Sequence, residues 1–270
     1  MKPQFPAVQG GGSLILAWQV RNRHVLVIGG GEVAAGRILA VLNADAKVTL
    51  ISPSTNLNPE VRHRIASGAV TYIDREFQPS DLDPSLPTPP TNDTSSPSPA
   101  QPVDMVLCAI DSPTASTEIY KLCHRLRIPA NIADVPPECD FYFGSVHRDG
   151  PLQIMVSTNG NGPKMAALVR RRIAGSLPGN TGAAIRKVGE LRRRLRGVAP
   201  GNGGEVGAKR MRWMSKVCES WSLEDLCDMV EEDMDLLLAY YKDGMVPSLE
   251  QIRLKEEPGV YTFDGSFGWM

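Results

Sequence analysis

The residues best equipped for chemistry in this chain are three glycines, one aspartate and two groups of arginines. Val25 to Ala34 reads Val-Leu-Val-Ile-Gly-Gly-Gly-Glu-Val-Ala, a short apolar run that breaks into glycines and then opens a helical pattern. That order makes a phosphate-binding turn: Gly29 permits the tight reversal, and Gly31 lets the backbone approach a pyrophosphate lying against the N–H groups and positive end of the next helix. Ala34 takes the third small position. A dinucleotide is therefore the first ligand to consider, although glycine turns also follow strands that bind nothing. Asp134 ends another apolar segment, in Asn131-Ile132-Ala133-Asp134-Val135-Pro136, where a carboxylate can serve as a general base; the alternative is an aspartate that merely caps the following turn. Basic residues gather at Arg170, Arg171 and Arg172, and again at Arg186, Lys187, Arg192, Arg193, Arg194 and Arg196, whereas Glu219 to Asp235 is strongly acidic. Such a division suits either a polycarboxylate substrate, which the planar guanidinium grips in a bidentate fashion, or the pairing of two faces of one domain.

The elements that must position these groups follow from hydrophobic periodicity. Val25 to Ile28 reads as a strand buried on both faces, and Val33, Ala34, Ile38, Val41 and Leu42 recur at helical spacing. Lys47 to Ser52 is a second strand, stopped by Pro53. Its end lacks the acidic residue that usually meets the adenosine ribose; Ser52 is the available hydrogen-bonding group there, and the absence of a following arginine favours NAD over NADP. Val103 to Ile110 and Ala130 to Ala133 are further strands, with a helix between them that opens at Asp111-Ser112-Pro113 and repeats Ile119, Leu122, Cys123 and Leu126. In a doubly wound sheet, ligands collect outside the carboxyl ends of the strands, an edge that here holds Gly29 to Val33, Ser52, Ala109 to Asp111 and Asp134, with Pro53, Ala109 and Ile110 among the expected cofactor contacts. Phe141 to Val146 and Leu152 to Ser157 read as a hairpin, and Pro163 opens a helix carrying Met165, Leu168, Val169 and Ile173. Two strands and one helix are too thin to fold alone, which points to a symmetric homodimer. Beyond Pro178 the pattern is helical, and Leu223, Leu226, Cys227, Val230, Met234 and Leu237 read as one apolar stripe.

The expected fold is thus α/β: a Rossmann-like doubly wound parallel sheet over residues 1–144, a small α+β dimerisation unit over 145–177 and a helical domain over 178–270. Residues 79–102 hold eight prolines in 24 residues and read as a disordered insertion. A formal net charge of -1 gives no electrostatic case for nucleic acid. The five cysteines form no Cys-x-x-Cys pair and fit a reducing compartment. No apolar run reaches membrane-spanning length and no signal core opens the chain, so a soluble, cytoplasmic protein is expected. The scattered histidines offer no metal-ligand spacing, so no resident metal is expected. Without Tyr-x-x-x-Lys, Gly-x-Ser-x-Gly or a Gly-Lys-Ser/Thr loop, short-chain dehydrogenase, hydrolase and NTPase readings lose their defining groups.

Five motifs in order, Ile28-Gly29-Gly30-Gly31-Glu32-Val33-Ala34, Ile51-Ser52-Pro53, Asn131-Ile132-Ala133-Asp134, Cys139-Asp140-Phe141-Tyr142-Phe143-Gly144 and Ser157-Thr158-Asn159-Gly160, resemble the siroheme-synthesis family. The likeness is nearest to its fungal bifunctional precorrin-2 dehydrogenase and sirohydrochlorin ferrochelatase branch, and it fades towards the carboxyl end. It implies NAD-dependent oxidation of precorrin-2 to sirohydrochlorin, insertion of Fe2+ as a substrate to give siroheme, and an interlocked homodimer. It further implies that Asp134 is required for both reactions, that Glu32, Val33 and Ser52 contact the cofactor, and that Asn131 and Thr158 lie near the tetrapyrrole. Arg192 and Arg193 are the expected partners of substrate carboxylates. The methyltransferase domain fused in some bacterial relatives has no counterpart in these motifs. Two narrower readings accompany this one: a precorrin-2 dehydrogenase without chelatase activity, and a non-catalytic NAD-responsive regulator.

Overall fold

The computed structural model describes residue 5 and residues 10–86, 102–201 and 203–254, and the chain divides into two compact units, residues 1–143 and 144–270. The first unit is built on β1 (His24–Ile28), β2 (Lys47–Ile51), β3 (Thr71–Ile73), β4 (Met105–Cys108) and β5 (Ala130–Ile132), all parallel in the order β3-β2-β1-β4-β5. β1 occupies the centre because every one of its side chains is buried. Val25 and Val27 point to one face, packing with Ala34, Ile38 and Val41 of α1 (Glu32–Leu42) and with Val61 of α2 (Pro59–Ala66). Leu26 and Ile28 point to the other, against Ile119, Leu122 and Cys123 of α3 (Pro113–Leu126). Each such aliphatic side chain contributes roughly 1.5–3 kcal/mol when fully buried, so the pattern fixes both register and layer order.

Two elements were not anticipated, α2 and β3, and together they form the second crossover. Asn58 caps α2 by accepting the Glu60 N–H at 2.8 Å, with Pro59 at the first helical position. His24 is structural: its ring nitrogens lie 2.8 Å from Thr49 Oγ1 and 3.1 Å from the Pro102 carbonyl.

The expected insertion needs correction at its start. Residues 79–81 form a short 3-10 turn in which the Asp81 side chain is completely buried, and Leu82 joins the core. Arg75 grips Asp81 through both nitrogens, at 2.6 and 2.8 Å, and the Gln78 N–H donates to the same carboxylate at 2.8 Å. A doubly hydrogen-bonded ion pair orders a segment whose composition alone reads as unstructured. Residues 87–101 of that insertion lie outside the described residues.

The second unit begins with an antiparallel hairpin, β6 (Ser145–Asp149) and β7 (Leu152–Val156), followed by α4 (Pro163–Gly175). Phe141 to Gly144, expected at the start of the first hairpin strand, is not in a strand. Beyond α4 come α5 (Thr181–Val198), α6 (Gly204–Ser220), α7 (Leu223–Asp228), α8 (Glu231–Ala239) and α9 (Leu249–Leu254). Leu191, Leu195, Trp213, Val217, Met229, Leu237 and Ile252 form their shared core. The expected single stripe is broken between α7 and α8, leaving Leu223 and Val230 exposed. Asp149 of the hairpin accepts the Gly182 N–H at 2.6 Å, and a Cβ on Gly182 would stand 2.0 Å from the Asp149 carbonyl oxygen. No helix among the described residues is long and apolar enough to cross a membrane.

Removing one partner of a buried ion pair leaves the other charge uncompensated. Asp81→Ala is expected to lower unfolding free energy by about 3 kcal/mol in urea titration; a loss under about 0.5 kcal/mol, the scale of an ordinary surface change, would show that the segment is not anchored this way.

Candidate active site

The site is set by how β1 and β4 end side by side. The Ala109 N–H donates to Ile28 O at 2.8 Å and the Gly29 N–H to Ile51 O at 2.9 Å, so the chain leaves the sheet with no room beside it. Gly29 turns there with φ +100°, and a Cβ on it would stand 2.1 Å from the Ala109 carbonyl oxygen. Gly30 is similarly confined, with Leu57 Cδ2 at 2.5 Å and Ser52 Oγ at 2.9 Å from its would-be Cβ. Gly31 is different: nothing lies within 4 Å of the same point. It is the N-cap of α1 and brings no side-chain cap, so the first-turn N–H groups and the helix dipole face an open cradle. A dinucleotide pyrophosphate fits this geometry and charge. Glu32 and Val33 are exposed on the rim of that cradle, and Pro53, Ala109 and Ile110 are half-buried at the strand ends.

Ser52 is only 2 % exposed, and its hydroxyl donates to the Pro53 carbonyl at 3.3 Å. It packs beneath Gly30 of the glycine turn, and its contact with the ribose belongs to the proposed cofactor site. The groups that sequence reasoning missed at this strand end come from β3 and the residue after it. Tyr72 donates its phenol to Ser52 O at 2.9 Å, and Asp74 accepts the Ser54 N–H at 2.7 Å. Burial, reinforced by the Asp74 charge, pushes the Tyr72 phenol up to about 12, keeping it a donor, while the Ser54 N–H holds Asp74 below the usual carboxylate range.

Asp134 sits just beyond β5 in the left-handed region, φ 61°, where aspartate is among the better tolerated side chains. Asp134 is exposed, and among the described residues no hydrogen bond engages its carboxylate. The turn is held from beneath. Asn131 donates through Nδ2 to Phe141 O at 2.8 Å and to Cys139 Sγ at 3.4 Å, and the Cys139 thiol donates to Ile132 O at 3.1 Å. Asp140 accepts the Ala130 N–H at 2.8 Å. Asn131 is 4 % exposed and braces this turn; its contact with substrate belongs to the proposed function. Burial raises the pKa of the Cys139 thiol and lifts Cys108 to about 11 and Cys123 to about 12, which leaves all three protonated and poor nucleophiles. Asp134 and the glycine turn lie on one sheet edge with β4 between their strands, a lateral distance of roughly 10 Å at the usual strand spacing.

Thr158 and the arginines belong to the second unit. Thr158 Oγ1 accepts the Gly162 N–H at 3.2 Å, closing the loop before α4. Arg193 pairs with Glu190 on its own helix, and Arg194 bridges to Glu231 at 2.8 Å and Asp235 at 2.9 Å. The basic helix α5 therefore does pair with acidic α8, through Arg194, while Arg192 and Arg193 are exposed.

With the geometry in hand, comparison with known proteins is informative. Residues 16–145 match a family described as "putative NAD(P)-binding", residues 149–176 one described as "sirohaem biosynthesis protein central" and residues 178–247 one described as "sirohaem biosynthesis protein C-terminal". Siroheme biosynthesis protein met8 of Schizosaccharomyces pombe is 49 % identical over 252 residues, covering 93 % of this chain and 88 % of that protein. The chain belongs to the siroheme biosynthesis family. A siroheme synthase of Thioalkalivibrio sulfidiphilus is 31 % identical over 59 % of this chain, which spans 29 % of that longer protein. A solved structure titled "SirC, precorrin-2 dehydrogenase" superposes with a TM-score of 0.57 over 90 % of this chain and 100 % of its own, at 16 % identity, a likeness of fold. The α/β sheet and its glycine turn fall within the residues that match the putative NAD(P)-binding family.

The two glycines make separable demands. Gly31→Ala should fold to within about 1 kcal/mol of the parent, since its backbone suits any residue, yet bind NAD at least tenfold more weakly in calorimetry. Gly29→Ala should be destabilised by urea titration. Equal effects of the two on folding would contradict the open-cradle assignment.

Proposed function

We propose that the protein oxidises precorrin-2 to sirohydrochlorin with NAD and then accepts Fe2+ as a substrate to complete siroheme, with Asp134 as the base in both steps. The observation that carries this reading is an exposed, unengaged carboxylate on the same sheet edge as an open pyrophosphate cradle. NAD, when bound, supplies the hydride acceptor. The chain's own part is to hold the dinucleotide at the helix terminus and to receive protons at Asp134: one lost as the macrocycle is oxidised, then those displaced from pyrrole nitrogens when the metal enters. A single carboxylate suffices because both steps ask for the same transfer. Iron passes through as cargo and needs no closed cage of histidine and cysteine ligands.

Asp74 supports NAD over NADP. Its carboxylate accepts the Ser54 N–H beside the end of β2, next to which an adenosine ribose would lie in this proposal, and its charge would repel a 2'-phosphate. A homodimer is supported by the second unit, whose hairpin and α4 leave Val146, Met165, Leu168, Val169 and Ile173 exposed at 37–58 %. An apolar face of this kind on a two-stranded sheet gains stability by meeting its own copy. Arg192 keeps the role of a carboxylate ligand in this proposal. Five free cysteines, three of them buried, fit a reducing compartment, and we place the enzyme in the cytoplasm.

The test follows absorbance during incubation with precorrin-2 and NAD, then after adding Fe2+. The parent should form sirohydrochlorin and then siroheme, and Asp134→Ala should lose at least a hundredfold in each rate while binding NAD normally. A fully active Asp134→Ala would remove the base; sirohydrochlorin without siroheme would reduce the enzyme to a dehydrogenase. Asp74→Asn should narrow the preference for NAD over NADP about tenfold in direct binding; an unchanged ratio would clear Asp74 of this role.

A further inference from the structure

Arg37 is the charged group of the first unit that the proposed reaction leaves without a task. It lies on the second turn of α1, the helix that starts at the glycine cradle, and its guanidinium carbon stands 3.9 Å from the centre of the Phe143 ring. Phe143 meets Phe141 edge-on at 5.8 Å, and Phe141 meets Trp18 at 5.2 Å, so the arginine rests on a ladder of rings. That ladder is tied to β5 through the bond from Asn131 to the Phe141 carbonyl. Asp134 and Cys139 are its charged or polar neighbours, and their influence opposes the effect of burial, which lowers the pKa of the guanidinium.

The arrangement is unusual in what it omits. Arg37 is half-buried, yet among the described residues no acceptor takes a hydrogen bond from its guanidinium. Other arginines with comparable cover are engaged: Arg75 by Asp81, Arg194 by three carboxylates. None of its nitrogens is among the buried polar atoms left without a partner, so the donors reach solvent, and stacking on an aromatic face fixes the guanidinium plane while leaving its edge open. An open edge of that kind is shaped for a carboxylate held through two parallel hydrogen bonds.

We propose that Arg37 is a substrate-anchoring residue, which grips a peripheral carboxylate of the tetrapyrrole and so sets the macrocycle against Asp134. The inference rests on the function proposed above and deepens it by naming a specificity determinant in the first unit. An anionic partner has two sources here, a substrate carboxylate or a phosphate of the dinucleotide. The substrate is favoured because Arg37 borders the Asp134 turn and rests on the ring beside it, whereas the pyrophosphate already has the N–H groups at Gly31.

Arg37→Met keeps a long stem over Phe143 and loses the fork; Arg37→Lys keeps the charge alone. Sirohydrochlorin binding by absorbance titration, NAD binding by calorimetry and steady-state kinetics with precorrin-2 separate the outcomes. Arg37→Met should weaken sirohydrochlorin binding and raise KM for precorrin-2 by about ten- to a hundredfold, with kcat within about threefold and NAD affinity unchanged; Arg37→Lys should recover part of the loss. Melting curves for both variants check that the fold persists, and Arg37→Gln replaces Arg37→Met if the latter does not fold. Unchanged sirohydrochlorin binding in a folded variant overturns the proposal, as does a loss confined to NAD. A parent protein that makes no sirohydrochlorin refutes the proposed function itself, a different result from either.

Discussion

The close passage of Gly29 over the Ala109 carbonyl is the contact on which the first unit depends. Because no side chain intervenes, β1 and β4 run together to their last residues, and the backbone turns upward with a positive φ that glycine alone adopts cheaply. Everything on the edge follows from that turn. α1 begins one step later with uncapped N–H groups, Gly31 leaves a hollow above them, and β5 delivers Asp134 across β4. A methyl group at residue 29 would move the helix start and the far carboxylate relative to one another.

A second layer of order lies beneath the strand ends. Cys139 to Phe143 folds back along β5 and is clamped by Asn131 and Asp140, so Asp134 stands on a braced turn. Preorganisation of this sort would suit the proposed base, which has to meet a large, rigid substrate, since small displacements are expensive in rate. The same clamp presents Phe143 to Arg37, joining the helix that follows the glycine turn to the loop after β5. In the second unit the chemistry is of another kind: Arg194 and Arg253 hold acidic α8 in place, and the apolar side chains of α4 are left facing outward.

Much of this was legible in the sequence because burial on both faces writes long apolar runs, and glycines before a helix write a phosphate turn. β1, β2, β4 and α1 follow directly from those signals. β3 was missed because only Ile73 of its three residues is buried, whereas β5, equally short and also at a sheet edge, is buried throughout; α2 was missed because only Val61 on its surface is fully buried. The cap formed by Asn58 and Pro59 was the available clue. Phe141 and Phe143 suggested a strand through their aromatic content, but their backbone is claimed by the Asn131 amide and their rings by each other. Ser52 and Asn131 show a deeper limit. A polar residue in a binding motif can touch the ligand or brace the loop that does, and composition does not distinguish the two; the near-complete burial of both side chains came only with the structure.

The most direct test of the account is a crystal structure with NAD bound. The pyrophosphate should accept hydrogen bonds at about 3 Å from the N–H groups that follow Gly31, with the nicotinamide ring extending along the strand ends to face Asp134. A dinucleotide bound elsewhere, or one whose nicotinamide points away from that carboxylate, would contradict it.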